Sequence, residues 1–349
     1  MKTLGIFLGG YVAGYWDEKT VANGIGGSET WAYEVSLEFS KRGYDVTLYA
    51  APEIEHNINE NFHMVNYERY FYDLKEKSFD YFIYSRLGNM VSNELKCDNV
   101  YFMVHDVNIL YDEETIGLDK IKKYCYLSDW HKDYLLELYS KRGLTEDKLY
   151  KVSNGYSKQY YDNVNLNTKT NSMIWSSSFV RGFPEFYKYV FLPIKRQVPD
   201  FELYACAGTI GEEDKMMYER YSILPYVNMS TKLSKEQLAN IQKQSKIWVY
   251  NGVFPETFCI TAVENAAAGN VVISPLSYGL KTTLSGIKYI KDFNLDILNK
   301  DNAQQFVDIA VKVLTDDKFR IKCAKESMKV ANQYSWSNTV DELEKMFNE

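Results

Sequence analysis

The chain has 349 residues and a formal net charge of −7, with 46% hydrophobic and 25% charged residues. At about 150 residues per domain, this length predicts two domains of ordinary globular composition. The acidic balance disfavours a nucleic-acid-binding surface, and no apolar run reaches the ~18 residues of a membrane-spanning helix. The five cysteines are scattered and form no CxxC pair, which is typical of reduced thiols in a cytoplasmic protein.

The first element is an apolar segment that follows Lys2 and loosely resembles a signal peptide. It contains four glycines before position 15 and no small-residue cleavage pattern. We therefore expect a buried strand, Thr3–Leu8, that runs into a glycine-containing loop. The next elements are a helix that Ser28 caps and Gly43 ends, and then a strand at Asp45–Ala50.

Apolar strands and amphipathic helices alternate through the rest of the first half. The further predicted strands are Tyr81–Tyr84, Val100–Val104, Tyr124–Leu127 and Leu149–Val152. This alternation is typical of α/β proteins with parallel sheets. The polar segment Asn163–Ser172 has no periodicity and predicts a linker.

The alternation starts again after the linker. Strands are predicted at Met173–Ser176, Glu202–Ala205, Ile247–Tyr250 and Val271–Ser274. Helices are predicted at Pro184–Gln197, Leu233–Ser245, Phe258–Ala268, Asp301–Leu314, Asp317–Gln333 and Ser335–Phe347. The sequence thus predicts an α/β fold with two Rossmann-like domains, residues 1–165 and 166–334, that face each other across a cleft and bind ligands at the carboxyl ends of their strands.

Several common functional motifs are missing from the sequence. It contains no P-loop and no GxGxxG spacing, which disfavours a nicotinamide-dependent oxidoreductase. The four histidines form no HExxH motif, and there is no Asp-x-Asp pair. The sequence therefore predicts no metal site, and a bound diphosphate would need main-chain amides, a helix dipole and Arg or Lys.

The strongest local pattern is the segment 254–269, in which Glu256 and Glu264 are separated by seven residues. Glu256 lies before a predicted helix whose first amides, Thr257–Ile260, form an anion site. Carboxylates on both sides of a phosphate suit the hydroxyls of a sugar and of a ribose. The alternative is that Glu256 is an ordinary helix N-terminal acid and Glu264 a solvated residue.

Three other segments carry candidate binding groups. The glycine-rich loop 24–27 leads into a helix and is a second candidate anion site, or else a plain loop. Arg181 follows a strand and can form a forked contact with phosphate, unless it is a surface residue. His105 also follows a strand and can hydrogen-bond a substrate hydroxyl, or else is a core or helix-cap histidine.

In this order, these segments resemble the GT-B nucleotide-sugar glycosyltransferases, specifically glycosyltransferase family 4. The Glu-x7-Glu element is the most specific match. The matching segments are Gly26–Glu29, Lys41–Thr47, Leu127–His131, Val152–Gly155, Ser176–Gly182, Val198–Leu203 and Tyr334–Trp336. The resemblance implies the GT-B fold, in which residues 335–349 pack back onto the first, acceptor-side domain and residues 166–334 bind the donor.

The resemblance also implies roles for individual residues. Glu256, His105 and Arg181 are the implied catalytic residues: Glu256 contacts the donor sugar, His105 lies near the reacting carbon, and Arg181 neutralises the diphosphate. The other implied donor-binding residues are Gly26, Gly27, Thr257, Phe258 and Cys259, through their main chain, and Glu264, at the ribose. Ser176 stands where the family often has Arg, and Thr257 and Cys259 stand where glycine is common.

The implied activity is sugar transfer from a nucleoside diphosphate sugar, with UDP-sugars favoured, to an acceptor hydroxyl of a carbohydrate, protein or lipid-linked molecule. Transfer is expected to retain anomeric configuration and to need neither metal nor cofactor. The alternatives are a nucleotide-sugar epimerase of the same fold and a non-catalytic nucleotide-sugar-binding subunit. A membrane-docked enzyme would need a basic face, and its candidates are Lys120, Lys122, Lys123, Lys132, Lys141 and Arg142. Given the net acidity, we expect membrane association to be at most peripheral.

Overall fold

The computed structural model describes residues 1–10, 14–110, 119–207, 211–291 and 299–349. Within these ranges the chain divides into two compact units. Unit 1 comprises residues 1–155 and 335–349, and unit 2 comprises residues 156–334. The predicted division at 165/166 lies later in the chain. Tyr161 already belongs to unit 2, because its hydroxyl donates a 2.7 Å hydrogen bond to Gln242.

Unit 1 is built on a sheet that contains eight strands among the described residues. They are β1 (Lys2–Phe7), β2 (Tyr44–Ala50), β3 (His56–Asn59), β4 (Phe62–Asn66), β5 (Tyr81–Ser85), β6 (Val100–Met103), β7 (Lys123–Tyr126) and β8 (Leu149–Lys151). Their order is β3-β4-β2-β1-β5-β6-β7-β8. All neighbouring pairs are parallel except the β3–β4 hairpin. The central strands are apolar and buried, as strands covered on both faces must be.

Five helices accompany this sheet in the described residues. They are α1 (Glu18–Ala22), α2 (Gly27–Lys41), α3 (Arg69–Glu76), α4 (Asp129–Tyr139) and α13 (Trp336–Phe347), numbered in chain order through both units. The last helix belongs to unit 1 because Arg42 binds both Asp341 and Glu344, at 2.7 and 2.6 Å. The ring of Phe347 also stacks on that of Tyr81, with centroids 4.3 Å apart.

Unit 2 has a smaller sheet, with five strands in the part of the chain that the structure describes. They are β9 (Thr170–Trp175), β10 (Glu202–Cys206), β11 (Val227–Ser230), β12 (Ser245–Val249) and β13 (Val271–Ile273). All neighbouring pairs are parallel, in the order β11-β10-β9-β12-β13. Two parallel α/β units confirm the predicted fold class.

The helices of unit 2 follow its strands. They are α5 (Phe183–Phe186), α6 (Leu192–Gln197), α7 (Glu212–Tyr221), α8 (Lys235–Gln244), α9 (Ile260–Ala267), α10 (Leu280–Thr283), α11 (Lys300–Thr315) and α12 (Asp317–Ala331). A π-helical turn, Tyr187–Phe191, joins α5 to α6, so the helix predicted at Pro184–Gln197 is continuous but not uniform. Within the described ranges, no helix is both long enough and apolar enough to cross a membrane.

The segment Asn163–Ser172 is not the free linker that its polarity predicts. Strand β9 begins at Thr170, inside this segment, and Lys169 is buried. The ammonium group of Lys169 donates to the carbonyls of Lys243, Ser245 and Ala268 at 2.8–3.0 Å. Two of these carbonyls lie at helix ends, where acceptors lack intrahelical partners, so the polar segment is fixed to unit 2.

Candidate active site

Arg181 and Glu256 form an ion pair beyond the carboxyl ends of β9 and β12. The Nη1 atom of Arg181 lies 2.6 Å from Oε1 of Glu256, and the hydroxyl of Tyr250 donates to the same oxygen at 2.9 Å. The guanidinium also lies over the ring of Phe254, 3.8 Å from its centroid, a favourable cation–π geometry. Two residues that the sequence singles out separately thus belong to one cluster.

The loop that carries Arg181 is fixed by hydrogen bonds to α7. Asp214 is buried and accepts from the Ser178 hydroxyl at 2.8 and 2.9 Å and from the Val180 amide at 3.1 Å. The loop ends at Gly182, which has a φ of +94° and whose absent Cβ would overlap the Asn251 side chain. These contacts hold the Arg181 backbone in one place.

Burial raises the pKa of Glu256, and the Arg181 charge and then the Tyr250 and Arg181 hydrogen bonds oppose this rise. The guanidinium therefore favours the ionised form of a carboxylate whose charge burial disfavours. Its remaining oxygen, Oε2, accepts no hydrogen bond in the described part of the chain. Such a carboxylate can accept from a ligand hydroxyl.

Helix α9 begins at Ile260, two residues later than predicted. Its N-cap is Cys259, which has the left-handed conformation with φ +77° and makes no side-chain cap. This conformation is uncommon for a residue other than glycine, and it explains why the helical pattern misplaces the start. Among the described residues, the main-chain N–H groups of Phe258, Cys259, Ile260 and Thr261 donate no hydrogen bond. The start of α9 is therefore an open anion-binding end.

The other predicted residues of segment 254–269 surround this helix start. Phe258 is buried and packs edge-on against the Tyr334 ring at 5.1 Å, while its carbonyl accepts from Thr283 at 2.6 Å. Thr257 is half-buried just before the helix, and Glu264 is half-buried one turn into it. Burial, and then the charge of Glu264, raise the pKa of Tyr161, which places this carboxylate near Tyr161.

Ser176, which stands where the resembled family often has Arg, joins a neutral network. Its hydroxyl lies 2.8 Å from that of Thr261 and accepts from the Trp248 indole at 3.1 Å and the Asn265 amide at 3.2 Å. The serine thus connects β9 to α9 and supplies no charge. Arg181 supplies one positive charge beside Glu256 at this end of unit 2.

In unit 1, the predicted residue His105 lies just beyond β6. Its pKa is lowered to about 3, chiefly by burial and then by the Arg86 charge and by His131. Its ring lies edge-on to the Trp31 ring at 4.9 Å. At neutral pH the imidazole is therefore uncharged, and it can exchange hydrogen bonds with hydroxyls but supplies no positive charge.

Gly26 and Gly27 lie at the start of α2, with Gly26 as the N-cap. The cap predicted at Ser28 is wrong, because Ser28 lies inside the helix and its hydroxyl donates to Glu29 at 3.0 Å. A Cβ on Gly26 would overlap the Glu29 carboxylate. Since this carboxylate folds back over the helix start, it provides the negative charge that the helix dipole favours there.

Sequence reasoning missed three side chains of these clusters. Arg86 binds Glu29, at 3.2 Å, and Asp106, at 2.9 Å; Tyr250 and Asp214 hold the Arg181–Glu256 pair and its loop. Arg86 could have been found, because it lies just beyond the carboxyl end of the predicted strand Tyr81–Tyr84. The partners of Tyr250 and Asp214 become visible only once the chain is folded.

Most lysines of the suggested basic face have intramolecular partners. Lys120 donates to the Leu95 carbonyl, Lys122 to Asn99 and Lys132 to Glu146, at 2.6–2.9 Å. Of these three contacts, the one between Lys132 and Glu146 offsets a positive charge, because its acceptor is a carboxylate. In the described ranges, no three His, Cys, Asp or Glu side chains group so that they could hold a metal ion.

Comparisons with known proteins identify the fold. No protein-family model matches the chain, and no curated protein matches it in sequence. Solved structures do match. A sucrose-phosphate synthase from Thermosynechococcus elongatus has a TM-score of 0.70 at 12% identity, over 100% of this chain and 98% of that one. A glycosyltransferase from Rickettsia africae has a TM-score of 0.69 at 16% identity, over 99% and 98%.

A third match is the catalytic domain of starch synthase IV from Arabidopsis thaliana bound to ADP and acarbose. Its TM-score is 0.67 at 10% identity, over 99% of this chain and 98% of that one. All three matches extend over nearly the full length of both chains, so the likeness includes both units. The chain therefore has the fold of the GT-B glycosyltransferases.

Proposed function

We propose that the protein is a glycosyltransferase that moves a sugar from a nucleoside diphosphate sugar to an acceptor hydroxyl. The observation that carries this proposal is the Arg181–Glu256 pair beside the open start of α9. Such a site combines a cation, unpaired amides and a carboxylate at the carboxyl end of a parallel sheet, where α/β proteins bind ligands. The full-length likeness to glycosyltransferase structures supports the same reaction class.

In this proposal, Arg181 and the start of α9 stabilise the departing nucleoside diphosphate. Negative charge develops on the diphosphate as the glycosidic bond breaks, and oriented donors in a partly buried site stabilise that charge strongly. The amides of Phe258 and Cys259 are the nearest donors in sequence to the Glu256 loop, with Thr257 before them. Because Cys259 is left-handed, the chain turns sharply where these amides meet the helix.

The carboxylates would recognise hydroxyls. Glu256 keeps one oxygen for the donor sugar while its other oxygen binds Arg181 and Tyr250. Glu264, one turn into α9, is the proposed ribose partner. His105, which is neutral at physiological pH, is proposed to hydrogen-bond a substrate hydroxyl.

Gly26 and Gly27 are the least supported of the proposed donor contacts. The Glu29 carboxylate lies against Gly26, so an anion is less favoured at this helix start than at α9. Their contact with the diphosphate stays a prediction from sequence.

We further propose that the donor is a UDP-sugar, that transfer retains anomeric configuration, and that neither metal nor cofactor takes part. Proton NMR of the product gives the anomeric configuration. Equal rates with EDTA and with added Mg²⁺ or Mn²⁺ would support metal independence. The proposed acceptor is a carbohydrate or a protein- or lipid-linked hydroxyl, and the starch synthase match was solved with ADP and acarbose.

A donor screen tests the proposal. UDP-, ADP- and GDP-linked glucose, galactose and N-acetylglucosamine are incubated with the protein, and nucleotide release and donor composition are followed by chromatography. We expect release from one nucleotide class, and its loss in Arg181→Ala and Glu256→Ala. A changed sugar without nucleotide release would indicate an epimerase, and donor binding without turnover a non-catalytic subunit. Equal release by all three proteins would refute the site.

A further inference from the structure

The imidazole of His56 lies at the edge of the unit 1 sheet, in the outermost strand β3. Each of its ring nitrogens contacts an oxygen. Nε2 lies 2.8 Å from Oε2 of Glu18, in α1, and Nδ1 lies 2.8 Å from the carbonyl oxygen of Ile54, in the loop before β3. The ring therefore connects the edge strand to α1.

Both partners of the His56 ring accept hydrogen bonds and cannot donate them, because one is a carboxylate and the other a carbonyl. A neutral imidazole has one N–H group and one bare nitrogen, whereas the charged imidazolium has two N–H groups. In a neutral ring, one nitrogen would therefore face an acceptor with its lone pair. Both contacts can exist together only when the ring carries two protons.

The charges around the ring favour the same protonated form. The pKa of His56 is raised, chiefly by its hydrogen bond with a main-chain carbonyl and then, against the opposing effect of burial, by Glu18 and Asp17. These two carboxylates lie in α1 and at its N-cap. Glu55, the residue before His56, is already bound to Arg69 at 2.8 Å. The ring is thus a cation between acceptors.

His63, in β4 of the same hairpin, has partners of a different kind. Its Nε2 lies 2.8 Å from Oδ1 of Asp45, but its Nδ1 lies 2.8 Å from Oδ1 of the Asn57 amide. An amide has both an acceptor and a donor, and rotation of the group presents either one to the ring. His63 can therefore keep both contacts whether it is charged or neutral, and His56 cannot.

The elements that His56 connects are at the margin of unit 1. Strand β3 pairs with β4 in the described sheet, with a register shift between Asn57 and Asn59, and its residues are half-buried or exposed. Helix α1 is five residues long, and residues 23–26 join it to α2. Such elements open locally at a lower free energy than central strands do, so a contact between them limits the opening of both.

We propose that His56 is a pH-sensitive latch that fastens the edge hairpin β3–β4 to α1 while its imidazole carries two protons. Since folding raises the pKa of this ring, the stability that the latch contributes is complete below the ordinary value of about 6.5 and is lost as the pH rises through the folded value. The neutral ring keeps one of its two contacts. The hairpin and α1 then open more often.

Histidine labelling tests the protonation state directly, because the chain has only four histidines. The full-length protein is labelled with 15N in its imidazole rings, and the His56 signals are assigned by their absence in His56→Gln. Nitrogen chemical shifts distinguish the doubly protonated ring from both neutral forms. We expect a titration midpoint above 6.5 for His56, and a midpoint at or below 6.5 would overturn the proposal.

Hydrogen exchange at pH 6 and pH 8.5 tests the latch itself. Exchange rates are divided by the intrinsic rates at each pH, and the resulting protection is compared for peptides that contain residues 17–24 and 54–59. In wild type we expect the protection of both to fall roughly twofold to fivefold at pH 8.5, as for loss of a partly exposed ion pair. A peptide from β12, in unit 2, is the internal reference.

Three variants separate the latch from the hairpin as a whole. His56→Gln cannot carry the charge, and Glu18→Gln keeps an acceptor without charge, so both should show the lower protection at both pH values. His63→Gln is the matched control in the same hairpin and should keep the pH dependence. Thermal melting shows which variants are folded, and one of the first two is enough for the comparison.

Three results of the exchange experiment would contradict the latch. The first is equal protection of the two peptides in wild type at pH 6 and pH 8.5. The second is a full pH-dependent fall in His56→Gln or Glu18→Gln. The third is loss of the pH dependence in His63→Gln, which would assign the effect to the other histidine of the hairpin.

Discussion

The strand-end clusters of the two units both consist of an arginine and carboxylates, but they differ in net charge. In unit 2, Arg181 follows β9 and pairs with one carboxylate, that of Glu256. In unit 1, Arg86 follows β5 and pairs with two, those of Glu29 and Asp106. The first cluster is neutral and the second has a net charge of −1. On charge alone, an anion such as a diphosphate is therefore less favoured at the unit 1 cluster than at the unit 2 cluster.

The helix starts at the two sites also differ in how readily they can accept an anion. The first amides of α9 have no hydrogen-bond acceptor within the described residues, whereas the Glu29 carboxylate already lies over the start of α2. A helix start attracts an anion by up to about 2 kcal/mol when partly buried. At α2 the protein itself provides that anion, and at α9 a ligand can.

The largest expected effect is loss of donor turnover in Arg181→Ala. This change removes the cation of the unit 2 site and leaves Glu256 as an uncompensated carboxylate. We expect kcat/KM for the donor to fall by roughly 100-fold or more, as when an oriented donor to a developing anion is removed. Nucleotide-release kinetics provide the measurement, with exposed Arg196→Ala as the control in the same unit. A loss below threefold would mean that another cation serves the diphosphate.

Acid should destabilise unit 1 more than unit 2. All four histidines lie in unit 1, and burial lowers the pKa of His131 to about 4 and that of His105 to about 3. Since the unfolded chain takes up these protons near its ordinary pKa of about 6.5, stability falls as the pH drops from 6.5 towards these values. For His131 alone the loss at pH 5 is about 2 kcal/mol.

Hydrogen exchange at pH 7 and pH 5, resolved by peptide, checks this expectation. The contact of His56 with the Ile54 carbonyl raises the pKa of that imidazole, and this opposes the loss only partly because His56 is more exposed. His131→Asn keeps an acceptor for the Leu127 amide and should reduce the difference between the two pH values. Equal acid sensitivity of the two units, or of this variant and wild type, would count against the buried neutral histidines.

The two glutamates that bind the arginines should differ in their effect on stability. Glu29→Gln weakens a buried contact to Arg86 and removes the charge at the start of α2, so we expect a loss of about 2 kcal/mol. Glu256→Gln keeps an acceptor for Tyr250 and removes a charge that burial disfavours. Because the side chain of Arg181 is 32% exposed, water can solvate the guanidinium that loses its partner, and the expected change is within about 1 kcal/mol. Urea unfolding of both variants gives the comparison, and equal losses would show that the pairs are equivalent.

The smallest expected effect comes from Asp214→Asn. The change weakens the hold on the Arg181 loop through Ser178 and Val180 and leaves Arg181 itself in place. We expect the donor KM to rise about threefold to tenfold, in line with the loss of one or two hydrogen bonds, with a smaller change in kcat for a saturating donor. If kcat fell and KM did not change, Asp214 would affect the chemical step and not the position of the loop.

Much of the fold is predictable because the strands are short apolar runs between polar turns. The bounds of the predicted strands that correspond to β1 and its neighbours in unit 1, and to β9 and its neighbours in unit 2, agree with the structure within a few residues. The hairpin β3–β4 is missed because β3, His56–Asn59, is mostly polar. Helix α7 is missed because it buries only Asp214 and Tyr221 and so has no apolar stripe. These elements gain their stability from tertiary packing, which a local pattern does not report.

The candidate site is less predictable than the fold. Arg181 and Glu256 are each found from strand-end and helix-start positions, but their contact joins residues 75 positions apart. The contact between Arg86 and Glu29 joins residues 57 positions apart. The left-handed conformation of Cys259 cannot be predicted from the sequence either, because this conformation is usually indicated by a glycine. Side-chain pairing, which sets the charge of each site, and the left-handed backbone of Cys259 both depend on the folded chain.

The most direct test of the central claim is a crystal structure of the protein with a non-hydrolysable UDP-sugar. We predict phosphate oxygens within hydrogen-bond distance of the Arg181 guanidinium and of the first amides of α9, with the sugar hydroxyls on Glu256. A diphosphate bound at the Arg86 cluster, with the Glu29 carboxylate displaced from the start of α2, would contradict the assignment of charge to the two units.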